Sequence, residues 1–222
     1  MLIDYVERLM MEKFVTEPFH NLYFIYKKKI EKLNCGGTCS DKTLSFYDNL
    51  NALGIKAYLH SAFIKNKEIH RLVSVELNNS IYYADIGNGW PSVKLFPKDY
   101  EIEYTAFGIR FMTKIKESCL EVYINRENKE YHSVDIPFQS KKNEEILKDI
   151  QNRFDDTITY PFSNGIRFSQ IIDDSFLFLR DDTLFIYSNG QKVRKISGFE
   201  QKNLSETLKK YFHFDIEKIL YK

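Results

Sequence analysis

The spacing of apolar residues predicts a helical start to the chain. Residues 1 to about 33 have a helical pattern, which Pro18 interrupts. The apolar positions that share one face are Leu2, Tyr5, Val6, Leu9 and Met10. We therefore expect a helix followed by an aromatic connector that begins at Pro18.

A second helical pattern begins beside a pair of glycines. Apolar side chains recur there at three-residue steps, so we expect a helix from Cys39 to about Leu53. Thr38 and Asp41 have the spacing of a capping box, with Asp in place of the usual Glu or Gln. Gly54 is a residue type that commonly ends a helix.

Beyond Gly54, short runs of β-branched and aromatic residues predict strands joined by polar turns. The predicted strands cover residues 55–64, 70–77, 80–87, 107–115, 119–125, 131–138, 165–172, 175–180, 182–188 and 192–199. We expect two further helices, over residues 143–154 and from Leu204 to about Phe212. Helices followed by a mainly antiparallel region indicate an α+β fold and not alternating βαβ units.

Composition and charge exclude several classes of protein. The 222 residues are 43% hydrophobic and 28% charged, which is ordinary for a soluble globular protein. A net charge of +1 gives no electrostatic basis for binding nucleic acid or an anionic membrane. The N-terminal segment lacks the uninterrupted apolar stretch of a signal peptide, and no run reaches transmembrane length. We therefore expect a protein of the reducing cytoplasm.

The three cysteines, Cys35, Cys39 and Cys119, leave several chemistries open. Their small, odd number argues against a secreted disulfide framework. The Cys-x3-Cys pair has no second ligand pair at zinc-finger spacing, so we predict no metal site. It is also one residue too long for a redox Cys-x2-Cys motif. A reversible disulfide and a nucleophilic cysteine remain as alternatives.

Cys39 fits a nucleophile because it falls in the first turn of a predicted helix. Backbone N–H groups and the helix dipole stabilise a thiolate there. Such a cysteine needs a base, and the base needs an orienting group. His70 opens one predicted strand and Asp85 ends the next, so the three residues form a coherent triad.

A hairpin turning at Asn78-Asn79 would bring His70 and Asp85 together. In a tight hairpin with this turn, Asp85 would lie opposite position 72, two positions from His70. We expect a longer loop or a β-bulge to absorb this difference.

The segments that carry this triad resemble the arylamine N-acetyltransferases. The matching runs are PFHNL at 18–22, CGGTC at 35–39, HRLVSVEL at 70–77 and YYADIGNG at 82–89. Further along, residues 106–115, 119–138 and 160–162 and the hairpins after Gly165 follow the order of the family's barrel strands, SPF segment and lid.

The resemblance implies a cysteine-proteinase/transglutaminase-like core arranged as one compact unit. Residues 1–54 would form an N-terminal helical region with the nucleophile helix. Residues 55–142 would form an antiparallel β-barrel that carries the His and Asp. Residues 143–222 would form a C-terminal α/β lid.

The resemblance also implies a two-step acyl transfer with acetyl-CoA as acyl donor and no metal. Cys39 would take the acetyl group, His70 would act as base, and Asp85 would hold the imidazole. An arylamine, hydrazine or N-hydroxyarylamine would then accept the acetyl group. The residues that would let the pantetheine arm approach are Gly87 and Gly89. The residues that would border the acceptor pocket are Phe19, Asn88 and Trp90.

Three positions depart from the family pattern. Cys35 stands where the family has Arg, and His20 stands where it has Glu. The family pairs that Arg with that Glu. We therefore expect one of two arrangements: His20 and Cys35 pack together as a neutral or weakly hydrogen-bonded replacement, or each simply fills space. Asn88 stands at the position of a Phe, which predicts either an altered acceptor preference or no activity towards arylamines.

Other functions are compatible with a Cys-His-Asp triad. They are a related amide-forming acyltransferase of small-molecule biosynthesis, a transglutaminase-like cysteine hydrolase, and an inactive relative. The sequence has no recognisable peptide-binding signature, and all three triad residue types are present. We therefore expect an acyltransferase whose partners are a small amine and coenzyme A.

Overall fold

A computed structural model describes residues 2–28, 35–154, 160 and 162–220. The α-helices are α1 (Leu2–Thr16), α2 (Leu22–Ile25), α3 (Cys39–Ala52), α4 (Asn143–Gln151), α5 (Leu204–Phe212) and α6 (Glu217–Leu220). The strands are β1 (Phe19–His20), β2 (Ala57–Ile64), β3 (Lys67–Leu77), β4 (Ser80–Ala84), β5 (Phe96–Pro97), β6 (Glu103–Ala106), β7 (Ile109–Ile115), β8 (Cys119–Arg126), β9 (Lys129–Pro137), β10 (Arg167–Ile172), β11 (Ser175–Arg180), β12 (Thr183–Ser188) and β13 (Arg194–Ser197). None of the helices in these ranges is long and apolar enough to cross a membrane.

Two antiparallel sheets hold the molecule together. The larger sheet has eight strands in the order β5-β4-β3-β2-β9-β8-β7-β6 and curls into a half-barrel. The smaller sheet has the order β1-β10-β11-β12-β13. Because β1 pairs with β10, with Phe19 opposite Ser169, the N-terminal part of the chain supplies an edge strand to the C-terminal sheet.

One hydrophobic core connects all three parts of the chain. It contains Met10 from α1, Phe46 from α3, Val73 from β3 and Phe176 from β11. Burial of apolar surface is the main favourable term in folding, so these segments stabilise one another. The domain boundaries at residues 54 and 142 stay predictions.

The α+β architecture expected from the sequence is confirmed, and the family's fold with it. The helix at Cys39 and the closing helix at Leu204 begin where they were predicted. The first helix ends at Thr16, close to the predicted interruption at Pro18, and the predicted connector contains the extended pair β1 and the short helix α2. β1 is extended because it pairs with β10, and this tertiary contact overrides the helical pattern of the local sequence. Residues 29–33 of the predicted segment lie outside the described residues.

The β3–β4 hairpin has a two-residue turn, so the longer loop or bulge predicted there is wrong. Asn78 and Asn79 have φ values of 52° and 62°, as a type I′ turn requires. The register runs without a shift from Leu77 opposite Ser80 to Val73 opposite Ala84. If this register continues, position 85 lies opposite position 72 and diagonally across from His70. Long side chains can span such a diagonal on one face of a sheet.

We expect Leu50→Ala to lower the free energy of unfolding by about 2–5 kcal/mol, because it opens a cavity where α3 packs on the half-barrel. Leu50 is fully buried in the shared core. The measurement is urea denaturation. Leu53→Ala is the matched control, because Leu53 is 47% exposed. Its cost should stay near 0.5 kcal/mol or less, roughly the range of surface substitutions. Equal losses in the two variants would contradict this packing of α3.

Candidate active site

The candidate nucleophile stands at the start of α3 on a tightly built loop. Cys39 is the first residue of the helix and is 4% exposed. Before it, Gly37 has a φ of 145°, and a Cβ there would lie 2.5 Å from the Asp41 carboxylate. Asp41 Oδ2 accepts hydrogen bonds from the Thr38 N–H at 2.8 Å and the Thr38 hydroxyl at 2.9 Å. The predicted capping contact between Thr38 and Asp41 therefore closes the turn that presents Cys39.

A buried ion pair between Arg153 and Asp41 stabilises this loop. Arg153 Nη2 lies 2.5 Å from Asp41 Oδ1, and Arg153 Nη1 donates to the Ile150 carbonyl. Burial raises the pKa of Asp41, and the charge of Arg153 and the Thr38 hydrogen bonds offset only part of that effect. Sequence reasoning missed this pair because the partners are 112 positions apart and no local pattern joins them.

His70 and Asp85 form a hydrogen bond in the interior. His70 Nε2 lies 2.8 Å from Asp85 Oδ1, and the two side chains are 2% and 0% exposed. Burial disfavours the imidazolium, but the charge and hydrogen bond of Asp85, together with contact to Cys39, raise the pKa of His70. Since Nε2 faces Asp85, Nδ1 is the ring nitrogen that remains for Cys39.

The environment of Cys39 favours a thiolate. Burial by itself raises the pKa of the Cys39 thiol, but the hydrogen bond and charge of His70 act in the opposite direction. The backbone N–H and the charge of Arg71 also favour the thiolate, and the pKa of Cys39 is lowered overall. The structure thus brings together all three residues of the predicted triad. Arg71 was missed, although it directly follows His70 in the sequence.

The two glycines predicted to admit the donor lie against the protein itself. A Cβ on Gly87 would lie 2.6 Å from Cys39 Cα, so only glycine allows this loop to pack against Cys39. Gly89 has a φ of 80° and packs on the ring of Phe19. Its carbonyl accepts a hydrogen bond from the Ser169 hydroxyl at 2.8 Å. The glycines therefore shape the site, and contact with pantetheine remains a prediction.

Asn88, predicted to border the acceptor pocket, contacts the triad. Its Nδ2 lies 2.9 Å from Asp85 Oδ2 and 3.0 Å from the Ser133 hydroxyl. Sequence reasoning missed both contacts. Ser133 belongs to β9, 45 positions away, and no signal in the sequence marks it.

Four aromatic rings form a cluster in the neighbourhood of Cys39. The members of this aromatic cluster are Phe19, Phe24, Tyr160 and Phe162. Phe162 meets Phe19 edge-on at 6.3 Å between ring centroids and stacks on Tyr160 at 5.1 Å. Burial raises the pKa of Tyr160, and the charge of the nearby Cys39 adds to this effect. Pro161, in the predicted SPF-like segment, lies outside the described residues.

Trp90 packs between the half-barrel and the C-terminal sheet. Its ring centroid lies 4.9 Å from that of Phe178 and 5.8 Å from that of Tyr187. The Arg126 guanidinium lies 4.4 Å from the Trp90 centroid and stacks equally close to Tyr131. These contacts hold Trp90 in place, and its predicted role in the acceptor pocket remains a prediction.

His20 and Cys35 make a neutral contact. The fully buried His20 accepts the Leu22 N–H at Nδ1, so its proton is assigned to Nε2. Nε2 then donates to the Cys35 carbonyl at 3.1 Å. Burial lowers the pKa of His20 to about 4, which keeps the ring uncharged. The expected replacement of a charged pair thus takes the form of a hydrogen bond to the main chain of Cys35.

Within the described ranges, one group of side chains has the types that bind metals. Ligand atoms of Glu121, His132 and Asp135 lie within 4.8 Å of one another. His132 is exposed and already pairs with Asp135 at 2.7 Å, and Lys116 lies 3.6 Å from Glu121. The absence of a metal from the reaction therefore stays a prediction.

Comparison with known proteins agrees with this geometry. The N-acetyltransferase family model matches residues 3–220. By sequence, none of the curated proteins matches the chain. Among solved structures, the arylamine N-acetyltransferase of M. tuberculosis has a TM-score of 0.82 at 15% identity, covering 97% of this chain and 88% of that one. The enzyme from Salmonella typhimurium has a TM-score of 0.80 at 16% identity, with coverage of 95% and 84%.

A third structure carries a ligand. The Mycobacterium marinum arylamine N-acetyltransferase in complex with CoA has a TM-score of 0.81 at 14% identity, covering 97% of this chain and 88% of that one. At such identities the structures show a shared fold, and the family model supplies the membership. Since that model spans nearly the whole chain, this protein belongs to the arylamine N-acetyltransferase family and is an acyltransferase.

Proposed function

We propose that this protein transfers an acetyl group from acetyl-CoA to a small amine through an acetyl-Cys39 intermediate. The amine is an arylamine, a hydrazine or an N-hydroxyarylamine. The single observation that carries the proposal is the buried cluster in which His70 binds Asp85 at 2.8 Å and contacts Cys39. The family match and the CoA complex of the marinum structure support the donor.

In the first step, the Cys39 thiolate attacks the carbonyl carbon of acetyl-CoA. A new C–S bond forms to Cys39, the C–S bond to coenzyme A breaks, and the leaving thiolate takes the proton of the His70 imidazolium. Backbone N–H groups at the start of α3 are suited to stabilise the intermediate oxyanion. One thioester replaces another, so the acetyl group is stored without a large loss of free energy.

In the second step, the amine attacks the acetyl group on Cys39. Neutral His70 takes a proton from the amine nitrogen as the amide forms, and the Cys39 thiolate leaves. Asp85 stabilises the imidazolium that results. This step restores the thiolate–imidazolium pair, so each turnover ends with the site in its starting state.

The acceptor fits the aromatic side of the site. Rings prefer edge-on and offset-stacked neighbours, and the aromatic cluster has both arrangements next to Cys39. We assign Phe19, Asn88 and Trp90 to the acceptor side and Gly87 and Gly89 to the donor side. A cytoplasmic location, where thiols stay reduced, suits this chemistry.

Intact-mass measurement after incubation with acetyl-CoA tests the intermediate. We expect one acetyl adduct in the wild type, because the attacking thiolate is at Cys39. The adduct should be absent from Cys39→Ala and retained in Cys35→Ala and Cys119→Ala, since neither of those thiols contacts His70 in the proposed mechanism. Addition of an arylamine should remove it. An adduct that persists in Cys39→Ala, or its absence from the wild type with every acyl-CoA tried, refutes the proposal in favour of the hydrolase or inactive alternatives.

The pH dependence of iodoacetamide labelling tests the thiolate. The pKa of Cys39 is lowered, whereas burial and the charges of Asp135 and Glu121 raise the pKa of Cys119. Labelling of Cys39 should therefore persist to lower pH than that of Cys119, with the thiolate fraction changing about tenfold per unit of pKa. Midpoints are compared, because absolute rates also depend on access to the buried thiol.

His70→Gln provides the control for this profile. Without an imidazolium, the pKa of Cys39 should rise and its midpoint should move towards that of an ordinary thiol. Equal midpoints for Cys39 and Cys119 in the wild-type protein would refute the thiolate–imidazolium pair.

A further inference from the structure

Ser133 occupies a β-bulge in β9. Val122 pairs with Val134 and Tyr123 pairs with His132, so Ser133 has no partner in the β8–β9 ladder. A bulge changes the direction of the extra side chain, and bulges are common next to active sites. Here the Ser133 hydroxyl lies 3.0 Å from Asn88 Nδ2.

Asn88 connects this bulge to the triad. A carboxylate can only accept hydrogen bonds, so the amide nitrogen of Asn88 is the atom that faces Asp85. One N–H points to Asp85 Oδ2 at 2.9 Å and the other to the Ser133 hydroxyl at 3.0 Å. With both of its N–H groups engaged, the amide has one preferred orientation.

Asp85 is held from both sides. Its carboxylate is fully buried, and its two oxygens accept from different side chains, His70 at Oδ1 and Asn88 at Oδ2. Buried carboxylates need such donors, because they have lost those of water. Rotation of the carboxylate away from His70 would also break the bond to Asn88.

We propose that Asn88 and Ser133 are positioning residues that act through Asp85, holding its carboxylate in the orientation that binds His70. The proposal rests on the proposed function in that Asp85 orients the base of the reaction. The order of contacts is Ser133, Asn88, Asp85, His70, Cys39. Removal of the Ser133 or Asn88 side chain should lower the fraction of Cys39 that is present as thiolate, although Cys39 itself is unchanged.

Charged and titratable side chains from several elements lie around this series: Arg71 of β3, Tyr104 of β6, His132 of β9 and Tyr160. Burial raises the pKa of Tyr104 of β6, which faces the Asp85 charge, well above its usual value. Burial likewise raises the pKa of Tyr160. Because iodoacetamide reacts with the thiolate of Cys39 itself, a shift of the labelling midpoint reports on the ionisation of Cys39.

The experiment measures the pH midpoint of Cys39 labelling by iodoacetamide, without any acyl donor. Asn88→Leu removes a donor to a buried charge, and such bonds contribute about tenfold or more to an equilibrium. We therefore expect its midpoint to rise by roughly one pH unit, one unit being tenfold in thiolate. Ser133→Ala should produce a smaller rise, about threefold in thiolate at pH 6, because its effect is indirect.

Asn143→Leu is the matched control. Asn143 is also a half-buried amide with two hydrogen bonds, to the Leu59 N–H and the Tyr47 hydroxyl, and neither partner belongs to the triad. We expect its thermal midpoint to fall while its pH midpoint stays at the wild-type value. A purely structural role for Asn88 predicts the same behaviour in Asn88→Leu, and that result would overturn the proposal.

The outcomes separate this proposal from the proposed function. If the wild type forms an acetyl adduct but neither Asn88→Leu nor Ser133→Ala shifts the pH midpoint, acyl transfer stands and the positioning role is wrong. If the midpoints shift but no acetyl adduct forms, the positioning role stands and the reaction is a different one. Should Asn88→Leu fail to fold, Ser133→Ala decides, because it removes only one hydroxyl group.

Discussion

The buried hydrogen bond between His70 and Asp85 places strict demands on the surrounding structure. A carboxylate with no exposure is costly unless every oxygen finds a donor. A histidine with 2% exposure holds a proton in the interior only beside such a charge. The bond therefore requires two strands at a set register and a loop that returns to satisfy the second oxygen of the carboxylate.

The loop after β4 meets several of these demands within five residues. The loop begins with Asp85, and Gly87 packs against Cys39. Asn88 donates a hydrogen bond to the Asp85 carboxylate, and the Gly89 carbonyl accepts one from Ser169 of the C-terminal sheet. These contacts involve residues that are adjacent or one position apart, so each contact restricts the backbone conformation available to the next. Substitution by larger residues at Gly87 would displace Cys39, and so packing explains this glycine without reference to a bound donor.

The other half of the centre depends on elements far away in the chain. The turn before Cys39 is held by Asp41, and Asp41 is held by Arg153 after α4. The segment before this turn is held by β1, which pairs with β10, and by the neutral contact of His20 with Cys35. Cys39 thus lies where the half-barrel, the N-terminal helices and the C-terminal sheet meet.

The sequence by itself determined the features that local chemistry controls. The cap at Thr38 and Asp41, the helix that starts at Cys39 and the turn at Asn78-Asn79 follow from residue types over a few positions. Their positions in the predicted elements, together with the resemblance carried by short motifs, selected Cys39, His70 and Asp85, which the structure brings together. Only the tertiary structure decided the diagonal approach of His70 to Asp85, the ion pair of Asp41 with Arg153, and the bulge that turns Ser133 towards Asn88. These contacts join residues from different elements, and no periodicity or turn signal records which distant side chain will satisfy a buried charge.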